Sequence, residues 1–162
     1  MKKQTANANK VMIPLVVLCL LVILVGCRIR EVTPLTVTNI HDSIVRYQTT
    51  TNDLRQMYGE PYKISKGEDE VEEIQQKILD NEYSTDDHLD DQNYWDTVKK
   101  SSDSKRPTGN YQVCYEYRGE KLGVKAVYFF VIDDKVVSFM FDNQILDKKV
   151  AKKDKYLRQF ID

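Results

Sequence analysis

Apolar residues follow three successive patterns along the chain. Residues 11–27 form an uncharged and mostly apolar run. From about residue 39 to residue 98, apolar residues recur every three or four positions, and between residues 111 and 141 they alternate with polar ones or run continuously. Helical spacing predicts amphipathic helices, and alternation predicts strands. The pattern therefore predicts an α+β domain that follows an N-terminal signal or anchor segment.

Helices are predicted in the first part of the domain. A short one is expected around residues 40–47. A second is expected from Thr51, which can cap it, to Gly59 and Pro61, which end it. A third is indicated by four apolar residues at helical spacing: Val71, Ile74, Ile78 and Leu79.

Strands are predicted in the last third of the chain. Residues 111–118 alternate, residues 124–132 are apolar on both faces, and residues 135–141 form a third run. Asp133-Asp134 is a plausible tight turn between the last two strands. These features predict helices packed on a three-stranded antiparallel β-meander, and helical spacing returns over residues 145–160.

The N-terminal segment has the features of an export signal. Three lysines precede the apolar run: Lys2, Lys3 and Lys10. The 17 residues from Val11 to Cys27 carry no charge, which is short for a bilayer span of ~20 helical residues. A positive start followed by a short apolar stretch is typical of a signal peptide.

The end of this segment, Leu24-Val25-Gly26-Cys27, resembles the bacterial lipobox. The resemblance implies that residues 1–26 are cleaved and that Cys27 receives a diacylglycerol thioether. Two acyl chains anchor a protein stably where one is marginal. We therefore expect a membrane partner through a lipid anchor at Cys27, a tether over residues 27–38, and a single α+β domain over residues 39–162.

An uncleaved single-pass anchor of the same topology is the alternative. Arg28 and Ile29 are less usual after a lipobox cysteine than serine or glycine, so this alternative stays open. Both interpretations place the domain on the extracytoplasmic face of the cell membrane, because the N-terminal lysines favour the cytoplasmic side for the start of the chain.

Composition excludes several classes of function. The chain has 41% hydrophobic and 30% charged residues and a formal charge of −1, which is typical of a globular protein and gives no basis for a nucleic-acid partner. Of the three cysteines, Cys19 and Cys27 belong to the N-terminal segment. Cys114 is then alone in the domain, so no internal disulfide framework is expected.

The residues needed for catalysis are sparse. The two histidines, His41 and His88, could each be drawn as a base beside Cys114, but no nucleophile motif surrounds that cysteine. A structural thiol is the better interpretation. We therefore expect a protein that is not an enzyme and that takes no cofactor.

An acidic insertion is predicted over about residues 66–109. It contains eleven acidic residues between Lys66 and Asp91. A calcium site can be drawn from five of its residues: Asp86, Asp87, His88, Asp90 and Asp91. They lack the spacing and the glycine of a calcium loop, so a solvated acidic face is expected, and no metal site is predicted.

Two further groups of residues are candidates for binding. Tyr111, Tyr115 and Tyr117 on one strand face are either a recognition surface, since tyrosine is enriched in interface hot spots, or the core side under the helices. Near the C-terminus six cations form a basic segment: Lys148, Lys149, Lys152, Lys153, Lys155 and Arg158. It could pair with the acidic segment, face anionic polymers or lipid headgroups, or only solubilise the chain.

The stretch Thr51…Leu54…Tyr58-Gly59-Glu60-Pro61, followed by three strands, resembles the small lipoprotein domains of the β-lactamase-inhibitor-like, outer-membrane-assembly type. The resemblance implies a helix pair packed on an antiparallel sheet and a binding or scaffolding role without catalytic residues. The acidic insertion departs from that pattern. The expected function is a lipid-anchored module that binds an envelope protein or polymer, and the alternative is a surface exclusion or inhibitor lipoprotein that blocks an incoming molecule.

Overall fold

The computed structural model describes residues 33–80, 89, 93–103 and 105–161. Its helices are α1 (Val37–Ser43), α2 (Thr51–Tyr58), α3 (Glu68–Leu79), α4 (Tyr94–Thr97) and α5 (Lys148–Ala151), with a 3-10 helix at Leu157–Phe160. Its strands are β1 (Lys63–Lys66), β2 (Val113–Tyr117), β3 (Val127–Ile132) and β4 (Lys135–Phe141). The predicted α+β class is confirmed. The predicted signal segment and Cys27 lie outside the described residues.

Helix α2 begins at Thr51, as predicted, but Thr51 is not its cap. The cap is Thr50, whose hydroxyl accepts the Asp53 N–H at 3.2 Å, while the Asp53 carboxylate accepts the Thr50 N–H at 2.8 Å. This reciprocal pair satisfies two N–H groups at the helix start. Gly59 ends the helix with a φ of +82°, a value that favours glycine.

The sheet has four antiparallel strands in the order β1-β2-β3-β4, so the predicted count of three is wrong. The additional strand is β1, an edge strand of four residues that pairs with β2 from Lys63↔Glu116 to Lys66↔Val113. Three of its four side chains are exposed. A short, solvated edge strand has no apolar alternation, which is why the sequence pattern did not reveal it.

The predicted turn between β3 and β4 is confirmed. Asp133 and Asp134 have φ values of +49° and +62°. A tight hairpin turn whose twist matches that of the strands has two consecutive residues in the left-handed region of backbone conformation. Aspartate tolerates that conformation better than most residues.

Both faces of the sheet are covered. On one face, helices α1 and α2 and the C-terminal segment pack against eight sheet residues: Tyr115, Tyr117, Val127, Phe129, Val131, Val136, Phe139 and Phe141. On the other face, Val71 and Ile78 of α3 pack against three buried sheet residues: Cys114, Phe130 and Met140. Because α3 lies within the predicted acidic insertion, that insertion supplies the cover of the second face.

The predicted helix over residues 145–160 is wrong. Two short pieces form instead, α5 and the 3-10 helix. Between them the Asp154 carboxylate accepts the N–H groups of Tyr156 and Leu157, at 2.9 and 3.3 Å. A continuous helix would bind those groups to backbone carbonyls, so this side chain competes with it. Within the described ranges no helix is both long and apolar enough to cross a membrane.

Candidate functional site

The structure places the three candidate tyrosines in two different surroundings. Tyr115 and Tyr117 are 8% and 2% exposed and belong to the core under α1 and α2. Tyr111 precedes β2, is half-buried, and packs on the opposite side of the sheet with its ring 5.0 Å from that of Phe130. The strand alternation does not extend back to Tyr111, so the three rings do not share a face.

Cys114 and His41 lie on opposite faces of the sheet. Burial is the main reason that the pKa of Cys114 rises to about 12, with the nearby Glu116 carboxylate as the next cause. His41 packs against the rings of Tyr94 and Tyr156, and its Nε2 is 2.7 Å from the Thr97 hydroxyl. These two residues therefore form no dyad, and His88 lies outside the described residues.

No group of three or more His, Cys, Asp or Glu side chains is arranged to hold a metal ion in the part of the chain that the structure describes. The acidic residues considered for calcium, at positions 86–91, lie outside that part. Their prediction as a solvated acidic face stays a prediction.

A surface groove of about 760 Å³ runs between α3 and the uncovered end of the sheet. We call it the α3 groove. Side chains of β1, β2, β3 and α3 line it, together with the segment after β4: Tyr62, Lys63, Ile74, Lys77, Ile78, Glu116, Arg118, Lys125, Tyr128, Asp142, Asn143 and Gln144. Its size falls within the range of ligand sites, and several polar groups converge in it.

Arg118 is held in the α3 groove by two contacts. Its Nε lies 2.5 Å from Oε1 of the buried Glu116, and its guanidinium carbon lies 3.7 Å from the centre of the Tyr62 ring. The hydrogen bond to Glu116 is the main reason that the pKa of Arg118 is raised. A guanidinium stacked on an aromatic face keeps its other N–H donors available to a bound group.

A second charged pair lies farther along the α3 groove. Lys125 Nζ is 3.6 Å from Oδ2 of Asp142, whose side chain is only 13% exposed. The half-buried Tyr128 has its pKa raised to about 12, first by burial and then by the Glu116 and Asp142 carboxylates. At neutral pH its hydroxyl is protonated, as in any tyrosine, and can donate a hydrogen bond to a ligand.

The α3 groove carries more cations than anions. Four basic side chains line it against two carboxylates, Glu116 and Asp142: Lys63, Lys77, Arg118 and Lys125. Both carboxylates are already paired with a cation, at Arg118 and Lys125 respectively, and Lys63 pairs with Glu70 of α3 at 3.2 Å, so one cation, Lys77, is in excess of these pairs. Tyr62, Tyr128, Ile74 and Ile78 add aromatic and aliphatic surface between the charges. The groove is therefore suited to a ligand that combines carboxylates with apolar groups.

Sequence reasoning missed the α3 groove. The available signal was at the end of β2, where Glu116 and, just after the strand, Arg118 alternate with Tyr115 and Tyr117. An acid and a base two positions apart on a strand lie on the same face. Their approach to Tyr62 depends on β1, which the pattern did not predict.

No protein-family model, curated protein or solved structure matches this chain. The resemblances to a lipobox and to small envelope lipoprotein domains therefore stay predictions.

Proposed function

We propose that this protein is a lipid-anchored binding or scaffold module on the extracytoplasmic face of the cell membrane. The observation that carries the proposal is the sequence Leu24-Val25-Gly26-Cys27 at the end of an apolar run that is preceded by three lysines. The α+β domain that follows it supports a role outside the membrane as a folded module. In this proposal Cys27 carries the lipid and the domain recruits an envelope protein.

The α3 groove is the proposed recruiting surface. Its excess of basic side chains favours a partner segment rich in aspartate or glutamate. The Tyr62 ring is 63% exposed and stacks on Arg118, so it offers an apolar surface beside a charged donor. Tyrosine and arginine are the residues that most often dominate binding energy at interfaces. We propose that the partner contributes an acidic segment with at least one apolar side chain.

Site-specific photo-crosslinking tests this surface. A photoreactive amino acid at position 62 should crosslink one envelope protein in the membranes of the producing bacterium. The variant Arg118→Gln should lower that yield at least about tenfold, as expected for a hot-spot arginine. The matched control is Arg106→Gln, because Arg106 is exposed and does not line the α3 groove. Equal yields from the two variants would contradict the assignment of this groove.

A further inference from the structure

A second charged surface lies near the start of the domain. Lys121, Lys153, Lys155 and Arg158 line a surface groove of about 500 Å³ together with Thr36 and Thr38. Three further exposed lysines lie in α5 or directly after it, close in sequence to Lys153: Lys148, Lys149 and Lys152. We call these seven cations the basic face. Three exposed acids accompany it, Asp42, Glu120 and Asp147, and the buried Asp154 carboxylate lines the same groove, so its excess of positive charge is three.

Hydrogen bonds fix the basic face to the beginning of α1. The buried Asp154 carboxylate accepts the Thr38 N–H at 2.9 Å, and the Thr38 hydroxyl accepts the Lys155 N–H at 3.1 Å. Residues 116 positions apart are joined in this way. The basic face therefore belongs to the folded domain and lies where the chain enters it.

The entry point determines how far the basic face can lie from a lipid anchor. Thr36 follows Cys27 by nine residues, which span at most about 30 Å when fully extended. Leu146 borders the same region, sharing a surface depression with Lys121, and its side chain is 61% exposed. Lysines beside an exposed leucine are the combination that favours anionic headgroups at a membrane interface.

We propose that the basic face docks on the anionic lipid headgroups of the bilayer that holds Cys27. This inference rests on the proposed lipid anchor and adds the orientation of the domain. A short tether keeps the lysines close to the surface, where attraction extends over a Debye length of about 8 Å at physiological salt. An anionic lipid surface is the partner selected here, because tether length and charge both point to it.

Docking in this way would determine which surface faces outward. The C-terminal segment packs on one face of the sheet and α3 on the other. Helix α3 also begins with three exposed acids, Glu68, Asp69 and Glu70, which an anionic bilayer repels. The docked domain therefore presents the α3 groove away from the membrane, available to another protein.

Lysine acetylation of the whole protein in vesicles tests the proposal. Protein purified from bacterial membranes is reconstituted into neutral phosphatidylcholine vesicles and into vesicles with roughly one anionic phosphatidylglycerol in four lipids. Acetylation of Lys121 and Lys153 should slow about fivefold or more in the anionic vesicles alone, and this protection should disappear in about 0.5 M salt. Acetylation of Lys66 and Lys77, at β1 and α3, should not change.

Two charge-reversal variants sharpen the test. The triple variant Lys121→Glu, Lys153→Glu and Arg158→Glu should lose the protection of the remaining lysines of the basic face. The matched control reverses two lysines and one arginine that are exposed and line neither groove, with Lys66→Glu, Lys105→Glu and Arg106→Glu, and should keep it.

Three results would overturn docking on lipid. One is equal acetylation in both kinds of vesicle; another is protection that survives the triple reversal. The third is protection by soluble polyphosphate in neutral vesicles without protection by anionic vesicles, which would assign the face to an anionic polymer. Flotation with neutral vesicles reports on the anchor alone, so failure of the anchor and failure of docking are distinguishable.

Discussion

Replacing Asp154 with alanine should destabilise the domain strongly, because this one carboxylate joins the two ends of the fold. It is 7% exposed and accepts the N–H groups of Thr38, Tyr156 and Leu157 at 2.9, 2.9 and 3.3 Å. A hydrogen bond to a charged group contributes about 1.5–3 kcal/mol. Three such bonds would together contribute at most about 4.5–9 kcal/mol to the free energy of unfolding.

The expected loss is smaller than this upper range. Asp154 borders a surface groove, so water can reach some of the N–H groups that the substitution leaves behind. We expect the free energy of unfolding to fall by about 3–5 kcal/mol, because a buried N–H group left without a partner costs about 1–3 kcal/mol. For a domain of this size the melting temperature should fall by about 10–20 °C.

Urea and thermal unfolding followed by circular dichroism measure this change. The matched control is Asp147→Ala, because the exposed Asp147 carboxylate also accepts two N–H groups, at 2.7 and 3.2 Å, as the cap of α5. An exposed cap contributes only about 1 kcal/mol. A loss below about 1.5 kcal/mol for Asp154→Ala, or equal losses for the two variants, would refute the reasoning, since charged, buried bonds should cost more than exposed ones.

Three further measurements check other parts of the structure. The buried Tyr117 hydroxyl has no hydrogen-bond partner among the described residues, so Tyr117→Phe should raise the free energy of unfolding by about 1 kcal/mol. Tyr94→Phe removes a bond to a backbone carbonyl at 3.3 Å and should lower the free energy of unfolding by a similar amount. A loss of stability in both variants would contradict the unpartnered hydroxyl. Burial raises the pKa of Cys114 from 9.0 to about 12, so the unfolded thiol ionises first as pH rises, and the stability of the folded protein should be lost progressively between these values. Urea midpoints should therefore fall over this range, less steeply in Cys114→Ala; equal slopes would argue against the buried thiol. Gly123 has a φ of +81°, and an added Cβ would lie 3.1 Å from a methyl carbon of Leu157. Gly123→Ala should therefore lower the free energy of unfolding, measured by thermal unfolding, by at least about 1–2 kcal/mol. An unchanged stability would contradict the packing of the 3-10 helix against Gly123.

Local signals in the sequence accounted for much of the fold. The end signals Gly59 and Pro61 identified the helix that became α2, and the acidic pair Asp133-Asp134 identified the hairpin turn. Each of these depends on nearby residues, so a pattern along the chain contains the information.

The elements that the sequence pattern missed depend on distant partners. Strand β1 is short and solvated, and its hydrogen bonds to β2 stabilise it. The C-terminal segment has helical spacing, but Asp154 turns its backbone toward Thr38, 116 residues away. Interactions at that separation leave no periodic signal, and tertiary context overrides local propensity.

The same reason explains why the α3 groove was not predicted. Tyr115 and Tyr117 were candidates because of their residue type, and both rings pack in the core. The polar neighbours of these tyrosines along the chain, Glu116 and Arg118, line the groove instead. Which face of a two-sided strand remains accessible depends on how far α3 extends across the sheet, and a single strand does not encode that.

The central claim is that Cys27 carries a lipid, and the intact mass of the protein tests it most directly. The native chain and a Cys27→Ala variant are expressed in a bacterial host, and each is weighed by mass spectrometry and partitioned into detergent. The account predicts a native protein that lacks residues 1–26, carries added acyl mass and enters the detergent phase, and a variant that is not processed at this site. Full-length mass for both proteins, with both remaining in the membrane fraction, would contradict the claim and identify residues 11–26 as an uncleaved anchor.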